Sequence, residues 1–245
     1  MIFVYFDLLD IDAFAAFVLF GAMATALIAG ISFHEFSHAY VADRMGDHLP
    51  RSLGRVTLNP LAHLDPAGTI LLFLVGFGWG KPVPVNPNVA RNPKVAMAII
   101  AGAGPLSNFL VAAVAGLPLR VGWVPWLPPF NVGVINSLIR GGWGAEDYLG
   151  LYLSAIVLIS IILGVFNLLP IFPLDGHRVI PAFLTDEAAR SYMQFQARYG
   201  FVILIVLIAL PFLTGGQFGI LFEVMSPIIN ALARLFAGID TNVFG

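Results

Sequence analysis

Charged residues are scarce in this sequence. Lysine, arginine, aspartate and glutamate make up only 11% of the 245 residues, while 59% are hydrophobic and the mean hydropathy is +0.90. A soluble domain carries about 25% charged residues, and no stretch of this chain has that composition. The sequence therefore predicts an integral membrane protein that is embedded in a lipid bilayer.

Two further absences narrow the classes of function. The chain has no cysteine, which excludes disulfides and any cysteine-ligated zinc or iron–sulfur site. It has no basic run, so we expect no nucleic-acid partner. The first residues include Asp7, Asp10 and Asp12 but no basic residue, which is not the pattern of a cleaved signal peptide. We expect insertion to depend on the retained apolar segments.

Long apolar runs predict an all-α integral membrane protein. A helix needs about 20 apolar residues to cross a bilayer, and the runs suffice for a polytopic bundle of about four to six transmembrane segments. We interpret 1–245 as a single transmembrane domain, with a core at about 13–180 and C-terminal helices at about 199–238. The predicted helical segments are 13–45, 95–117, 149–169, 201–213 and 218–236.

The connections between these helices carry weaker signals. Residues 46–66 are polar and predict an irregular or short β segment near the membrane surface, with a strand-like piece at 55–58. Residues 67–80 are apolar but short for a crossing, which predicts a re-entrant segment or a short covered helix. Residues 118–147 contain three tryptophans and predict a loop along the membrane interface. Residues 170–200 predict a polar connection. A short re-entrant or β-like element is thus expected after the first helix.

Basic residues are distributed unevenly between the two predicted sides of the membrane. Only Arg120 and Arg140 fall on one side. If 67–80 re-enters rather than crosses, the other side holds Arg44, Arg51, Arg55, Lys81, Arg91, Lys94, Arg178, Arg190, Arg198 and Arg234. Cytoplasmic loops carry an excess of lysine and arginine. Ten against two therefore predicts that the polar loops face the cytoplasm.

The first apolar segment ends in the stretch HEFSH, which contains His34, Glu35 and His38. Helical positions four apart share a face, so the two histidines can bind one metal ion. Glu35 lies about 100° round the helix from His34 and can reach a metal-bound water. H-E-x-x-H on a helix is the zinc-hydrolase arrangement, in which zinc lowers the pKa of its water to about 7. Ionisable side chains beside a transmembrane run are costly and usually functional, which favours zinc over a chance occurrence.

A catalytic zinc needs a third protein ligand and one open position. Asp175 is a candidate, because it lies in a turn bounded by proline and glycine after the 149–169 segment. Aspartate before glycine is also typical of ordinary turns. By residue type, His48, His63 and His177 are rival ligands. The chemistry of the residues alone therefore leaves the third ligand open.

Five blocks in order make the chain resemble the site-2 protease family, the intramembrane zinc metalloproteases. They read HEFSHAYVADRMGD, GRVTLNPLAHLDPAGTI, GWGKPVPVNP, RNPKVAMAIIAGAGPLSN and NLLPIFPLDGHRV, and they cover about 31–179. H-E-x-x-H alone is moderately specific. Its combination with a distant N-x7-D-G block, from Asn167 to Gly176, is highly specific.

The resemblance implies a set of site residues and an activity. It implies that His34, His38 and Asp175 bind one zinc ion per chain, and that Glu35 is the base that assists attack of zinc-bound water. It also implies a catalytic position for Asn167 near the scissile carbonyl or the oxyanion; the alternative for that residue is an interhelical hydrogen bond. The reaction is endoproteolytic cleavage of transmembrane segments of membrane-anchored proteins, which is regulated intramembrane proteolysis.

Further expectations follow from the same resemblance. The substrate classes are membrane-tethered regulators and remnant signal peptides, and the location is a bacterial or archaeal cell membrane with the site toward the cytoplasm. The chain looks like a minimal form without PDZ or nucleotide-binding regulatory domains. We interpret Gly102, Gly104 and Ser107 as residues that let helices pack closely, and Asn108 as a polar helix contact. For His63 and Asp65 we favour structural hydrogen bonds.

Two rival functions differ from this interpretation. A membrane metal-ion transporter would explain the intramembrane histidines and aspartate but not a glutamate in the position of the base. A prenyl-protein type of zinc protease would take its third ligand from a helical glutamate. The candidates for that ligand are Glu146, Glu187 and Glu223, none of which lies in a matching block. The oligomeric state is left open by the sequence.

Overall fold

The computed structural model describes residues 12–68, 70, 80–215 and 219–239. Helices dominate this part of the chain, and its β-structure is one isolated antiparallel bridge between Leu64 and Gly80. The α-helices are α1 (Ala13–Arg44), α2 (Leu49–Ser52), α3 (Pro93–Arg120), α4 (Val132–Arg140), α5 (Ala145–Asn167), α6 (Gly176–Val179), α7 (Asp186–Phe195), α8 (Phe201–Leu213) and α9 (Ile220–Ala237). A π-helical turn, Gln196–Gly200, joins α7 to α8.

Among the described residues, five helical segments are long and apolar enough to cross a membrane by length and composition. They are α1, α3, α5, the continuous segment from α7 through α8, and α9. The predicted all-α polytopic membrane protein is thereby confirmed, with the number of candidate spans inside the predicted range.

Local capping explains where the long helices begin. The side chain of Asp12 accepts a hydrogen bond from the backbone of Ala15 at 2.9 Å and starts α1. Asn92 caps α3, whose first residue is Pro93, the position at which proline's missing N–H costs nothing. Thr185 caps α7 in the same way. Each such cap stabilises a helix by about 0.5–2 kcal/mol.

Small residues bring α1, α3 and α5 into close contact. A Cβ added at Gly30 of α1 would lie 2.7 Å from Leu163, and one added at Gly164 of α5 would lie 2.4 Å from Phe109. Such contacts let the backbones approach, which drives helix association where lipid is as apolar as the side chains. Helix α9 packs on the opposite side of α5, where Ile161 and Ile229 are buried in one cluster. Helices α1, α3 and α5 are therefore closely packed around the residues between them.

The structure corrects several predicted connections. Of the two alternatives for 46–66, the structure has the irregular one at 55–58, because the backbone bends there and Arg55 bonds to a neighbouring segment. The predicted interfacial loop 118–147 contains helix α4. The predicted polar connection 170–200 contains the short helix α6 and becomes a long helix from Asp186, since an amphipathic sequence after a threonine cap forms a helix despite its polarity. Most of the predicted re-entrant segment, 67–80, lies outside the described residues.

The packing of α9 changes the count of basic residues predicted for each side of the membrane. The guanidinium of Arg120, at the end of α3, donates to the backbone carbonyls of Arg234 and Leu235 near the end of α9. A Cβ at Gly116 would also touch Phe236 at 2.6 Å. Arg234 therefore belongs with Arg120 and not with the predicted cytoplasmic group. With Arg234 moved, the bias becomes nine against three and keeps its direction.

Candidate metal centre

Two histidines of α1 and an aspartate from a distant loop converge at one point. Nε2 of His34 lies 2.9 Å from Oδ2 of Asp175, and Nε2 of His38 lies 3.1 Å from the same oxygen. One ligand atom from each residue lies within 4.8 Å of the others, although His38 and Asp175 are 137 positions apart in sequence. Both histidines are buried in the bundle. The arrangement has the donor set of a two-histidine, one-carboxylate metal site.

Hydrogen bonds from α3 determine which imidazole nitrogens face inward. Nδ1 of His38 lies 2.7 Å from the carbonyl oxygen of Ile100, and a carbonyl only accepts, so this nitrogen donates its proton. Nε2 of His38 then directs a lone pair at the carboxylate of Asp175. Two acceptors at 3.1 Å repel each other unless a cation lies between them. A metal ion supplies that cation, so the residues present fit a bound metal.

The position directly after Asp175 has space only for glycine. A Cβ at Gly176 would lie 2.1 Å from the carbonyl oxygen of Leu168 and 2.4 Å from that of Leu169. A carboxylate in this position supplies the anionic oxygen that a divalent metal ion takes as a ligand.

The segment from α7 to α8 clamps the loop that leads to Asp175. Nε2 of Gln196 donates to the carbonyl of Pro170 at 2.8 Å, and Oε1 of Gln196 accepts from the backbone N–H of Phe172 at 2.9 Å. The hydroxyl of Tyr192 also donates to Pro170 at 3.0 Å. Gln196 is buried and lies in the π-helical turn, a distortion often found at functional sites. The amide thus fixes the loop that positions the carboxylate.

Replacing Gln196 with leucine is expected to loosen this loop. The change leaves the part-buried N–H of Phe172 without its side-chain partner, which costs up to about 1–3 kcal/mol. We expect a lower melting temperature in detergent and a smaller stabilisation by added zinc, both measured by thermal denaturation. Gln194→Leu on the exposed face of α7 is the matched control. Equal behaviour of the two variants would show that the clamp has no role.

Glu35 lies beside the extended segment at Lys81 and Pro82. Its Oε1 is 3.4 Å from the position that a Cβ would take at Gly80. The buried Arg55 donates to the carbonyl of Pro82 at 3.1 Å and also to that of Lys81. Burial lowers the pKa of Arg55, and the charge of Glu35 partly offsets this effect. A buried guanidinium therefore ties the extended segment in place close to the carboxylate.

The rival histidine ligands lie elsewhere. Nε2 of His63, which is fully buried, is 2.7 Å from the carbonyl of Thr57. His48 contacts Asp43 at 3.0 Å, and Nδ1 of His177 contacts the carbonyl of Leu174. In the described part of the chain, none of the three joins the group around Asp175. Among the candidates for the third ligand, Asp175 is the one that lies beside both histidines of α1 in the described part of the chain.

Asp65 has a local structural contact. Its Oδ1 accepts the backbone N–H of Gly68 at 2.8 Å, which stabilises the start of the following turn of helix. No ion pair or metal-ligand group includes Asp65 within the described residues.

Asn167 is not joined to the metal-ligand group by any hydrogen bond that the structure describes. Its Nδ2 donates to the carbonyl of Leu163 in its own helix at 2.9 Å. An amide carries two N–H donors, so one remains for another acceptor. The implied role of Asn167 at the oxyanion stays a prediction.

The small-residue motif of α3 has a role that the sequence interpretation missed. A Cβ at Gly104 would lie 2.5 Å from Nε2 of His38 and 2.7 Å from Cε1 of His34. One turn further on, the amide of Asn108 lies 3.2 Å from Nδ1 of His34. The signal was available in the four-residue spacing of Gly104 and Asn108. What that spacing could not show is that the face meets imidazole rings rather than another helix backbone.

A large apolar cavity opens beside the loop of Asp175. Its volume is about 730 Å³. One wall is the extended segment 82–85, and the other walls include Met97, Phe172, His177 and Met193. A volume of this size accepts several side chains of a peptide.

Sequence comparison relates this chain to known proteins. The sequence profile of "Peptidase family M50" matches residues 128–210, which include Asp175. The "Putative zinc metalloprotease YwhC" of Bacillus subtilis (strain 168) is 33% identical over 221 residues, covering 89% of this chain and 91% of that protein. The "Putative zinc metalloprotease Rip2" of Mycolicibacterium smegmatis and that of Mycobacterium tuberculosis (strain H37Rv) are 29% and 28% identical, each covering 80% of this chain and 69% of its own length. No solved structure matches. Together with the metal-ligand geometry, these similarities show that the chain belongs to peptidase family M50, the site-2 protease family of metalloproteases.

Proposed function

We propose that this protein is an intramembrane zinc endopeptidase that cleaves transmembrane segments of membrane-anchored proteins. The convergence of His34, His38 and Asp175 at the end of a candidate transmembrane helix carries the proposal. Glu35 adjoins the first histidine in sequence, so the base and two of the three ligands are supplied from one helix end. The names of the relatives support zinc as the metal.

Zinc would be held by the two histidines through Nε2 and by the carboxylate of Asp175. When bound, zinc lowers the pKa of a water and polarises a carbonyl. Glu35 takes a proton from the attacking water and later delivers it to the leaving amine. The second amide N–H of Asn167 donates to the negative charge that develops on the scissile oxygen. These roles divide the reaction between metal ligands, one base and one hydrogen-bond donor.

A helical substrate has to unwind before its carbonyls can be attacked, because they are hydrogen-bonded within the helix. The cavity of about 730 Å³ receives the apolar side chains of the unwound segment. The extended wall at 82–85 pairs with it along one edge only, because Pro82 and Pro84 have no N–H to donate. Substrates of this kind include membrane-tethered regulators and remnant signal peptides.

The site is proposed to face the cytoplasm of a bacterial or archaeal cell. The nine-to-three bias of basic residues supports this orientation. Substrates would therefore be cut near the cytoplasmic end of their transmembrane segment.

The proposal is tested by replacing Glu35 with glutamine in protein reconstituted with a tagged single-span substrate. Loss of the general base is expected to reduce cleavage by about 100-fold or more. Metal analysis should show that zinc is retained, because the three proposed ligands are unchanged. Glu187→Gln, at the exposed start of α7, is the control and is expected to cleave normally.

Two results would contradict the assignment. Full cleavage by the Glu35→Gln variant would remove the residue from the mechanism. Zinc transport into proteoliposomes without any proteolysis by the wild-type protein would support a metal-ion transporter instead.

A further inference from the structure

We infer that Asn108 is a positioning residue that holds His34 in the orientation needed to bind the metal. The inference rests on the proposed zinc centre. Asn108 lies in α3 and is fully buried. Its amide is the side-chain partner of Nδ1 of His34, at 3.2 Å. Nε2 of the same ring faces Asp175 at 2.9 Å.

The other end of the amide has a free hydrogen-bonding capacity. Oδ1 of Asn108 is buried and has no partner among the described residues. The oxygen and nitrogen of an amide have nearly the same shape, so a half-turn of the side chain exchanges them. Metal binding through Nε2 leaves the proton of His34 on Nδ1, and this proton needs an acceptor. Turned in this way, Oδ1 of Asn108 accepts it.

One row of α3 then serves both metal-binding histidines. Ile100, Gly104 and Asn108 follow one another at intervals of four and lie along one side of the helix. The carbonyl of Ile100 binds Nδ1 of His38 at 2.7 Å, and Gly104 leaves the space for both rings. The side chain of Asn108 thus binds Nδ1 of His34, as the backbone carbonyl of Ile100 binds Nδ1 of His38. Only the contact to His34 depends on a side chain, so only this one can be removed by substitution.

A partner of this kind affects the metal through the histidine. It fixes the tautomer, restrains the ring plane and raises the basicity of the ligating nitrogen, and its loss costs about 10–100-fold in metal affinity. A carboxylate in place of the amide accepts from Nδ1 at least as well. An apolar side chain of similar size accepts nothing.

The test compares Asn108→Leu with Asn108→Asp in purified, detergent-solubilised protein. Zinc affinity is measured by competition with a chromophoric chelator, independently of proteolysis. We expect Asn108→Leu to bind zinc about 10–100-fold more weakly and Asn108→Asp to bind it as well as the wild type. Asn108→Ala provides the same comparison in case leucine disturbs folding, and is expected to show the same loss.

Ser107→Ala is the control from the same helix. Its hydroxyl bonds to the carbonyls of Gly104 and Phe33 and not to either histidine, so zinc affinity should not change. Wild-type affinity in both Asn108→Leu and Asn108→Ala would overturn the inference. An equal loss of zinc affinity in Asn108→Asp and Asn108→Leu would also overturn the inference, because it would show that Asn108 acts through packing alone. If the wild type binds zinc but cleaves nothing, the proposed function fails while the affinities still decide the role of Asn108.

Discussion

Replacing Gly104 with alanine is expected to abolish zinc binding and proteolysis together. The added methyl carbon would lie 2.5 Å from Nε2 and 2.6 Å from Cε1 of His38, and 2.7 Å from Cε1 of His34. Carbon atoms pack at about 3.5–4.0 Å, so both rings would have to move. Neither moves freely, because Nδ1 of each ring is held from α3. The two nitrogens would then no longer converge with Asp175.

Gly102→Ala is the matched control, because a Cβ at Gly102 has no atom within 4 Å. The two variants make the same chemical change two residues apart in α3 and differ in what the methyl meets. Zinc content is measured on purified protein and cleavage on a reconstituted substrate. We expect Gly102→Ala to behave as the wild type in both. Bound zinc and full cleavage in Gly104→Ala would show that the rings do not occupy these positions in the working enzyme.

Replacing Asp175 with alanine is expected to reduce the zinc content from about one per chain to background. The carboxylate is the anionic ligand and contacts Nε2 of both histidines, at 2.9 and 3.1 Å. Without it, two neutral imidazoles remain, and a divalent ion in a buried site loses the charge that balances it. Proteolysis should fall to background as well, in contrast to Glu35→Gln, which keeps its metal.

His63→Ala tests the alternative ligand directly. His63 is buried, and its Nδ1 has no partner in the described part of the chain, so it is the strongest of the rival histidines. Its Nε2 contacts the carbonyl of Thr57 and not His34 or His38. We expect the zinc content of the His63→Ala variant to remain that of the wild type. Retention of zinc by Asp175→Ala together with its loss from His63→Ala would transfer the third-ligand role to His63.

Features that depend on local sequence could be predicted. The membrane class follows from composition, and the predicted segment 13–45 agrees with α1 because the cap and the apolar run are contiguous in the chain. The pair His34 and His38, with Glu35 between them, is likewise local, since helical spacing places positions four apart on one face. For these features no knowledge of the packing was needed.

Prediction was less successful where the local sequence was compatible with more than one structure. The sequence could not decide between an irregular and a short β segment at 55–58; the segment is irregular, because Arg55 binds the carbonyls of the 81–82 segment. Polarity in 186–200 suggested a connection, but a threonine cap and an amphipathic pattern make it helical. Arg234 was placed on the wrong side, because the sequence does not contain the direction in which α9 packs against α3.

The sequence by itself thus determined a helical membrane protein with two histidines and a glutamate arranged for a metal site at the end of its first helix. The chemistry of the residues left the third ligand open, and only the family resemblance implied Asp175; the tertiary structure decided which candidate lies beside the histidines. Asp175 is brought to the histidines across 137 positions by the packing of α1, α3 and α5, and Gly104 and Asn108 acquire their partners in the same way. The physical reason is that helical periodicity is a property of neighbouring residues, whereas convergence of ligands depends on how separate helices pack in three dimensions.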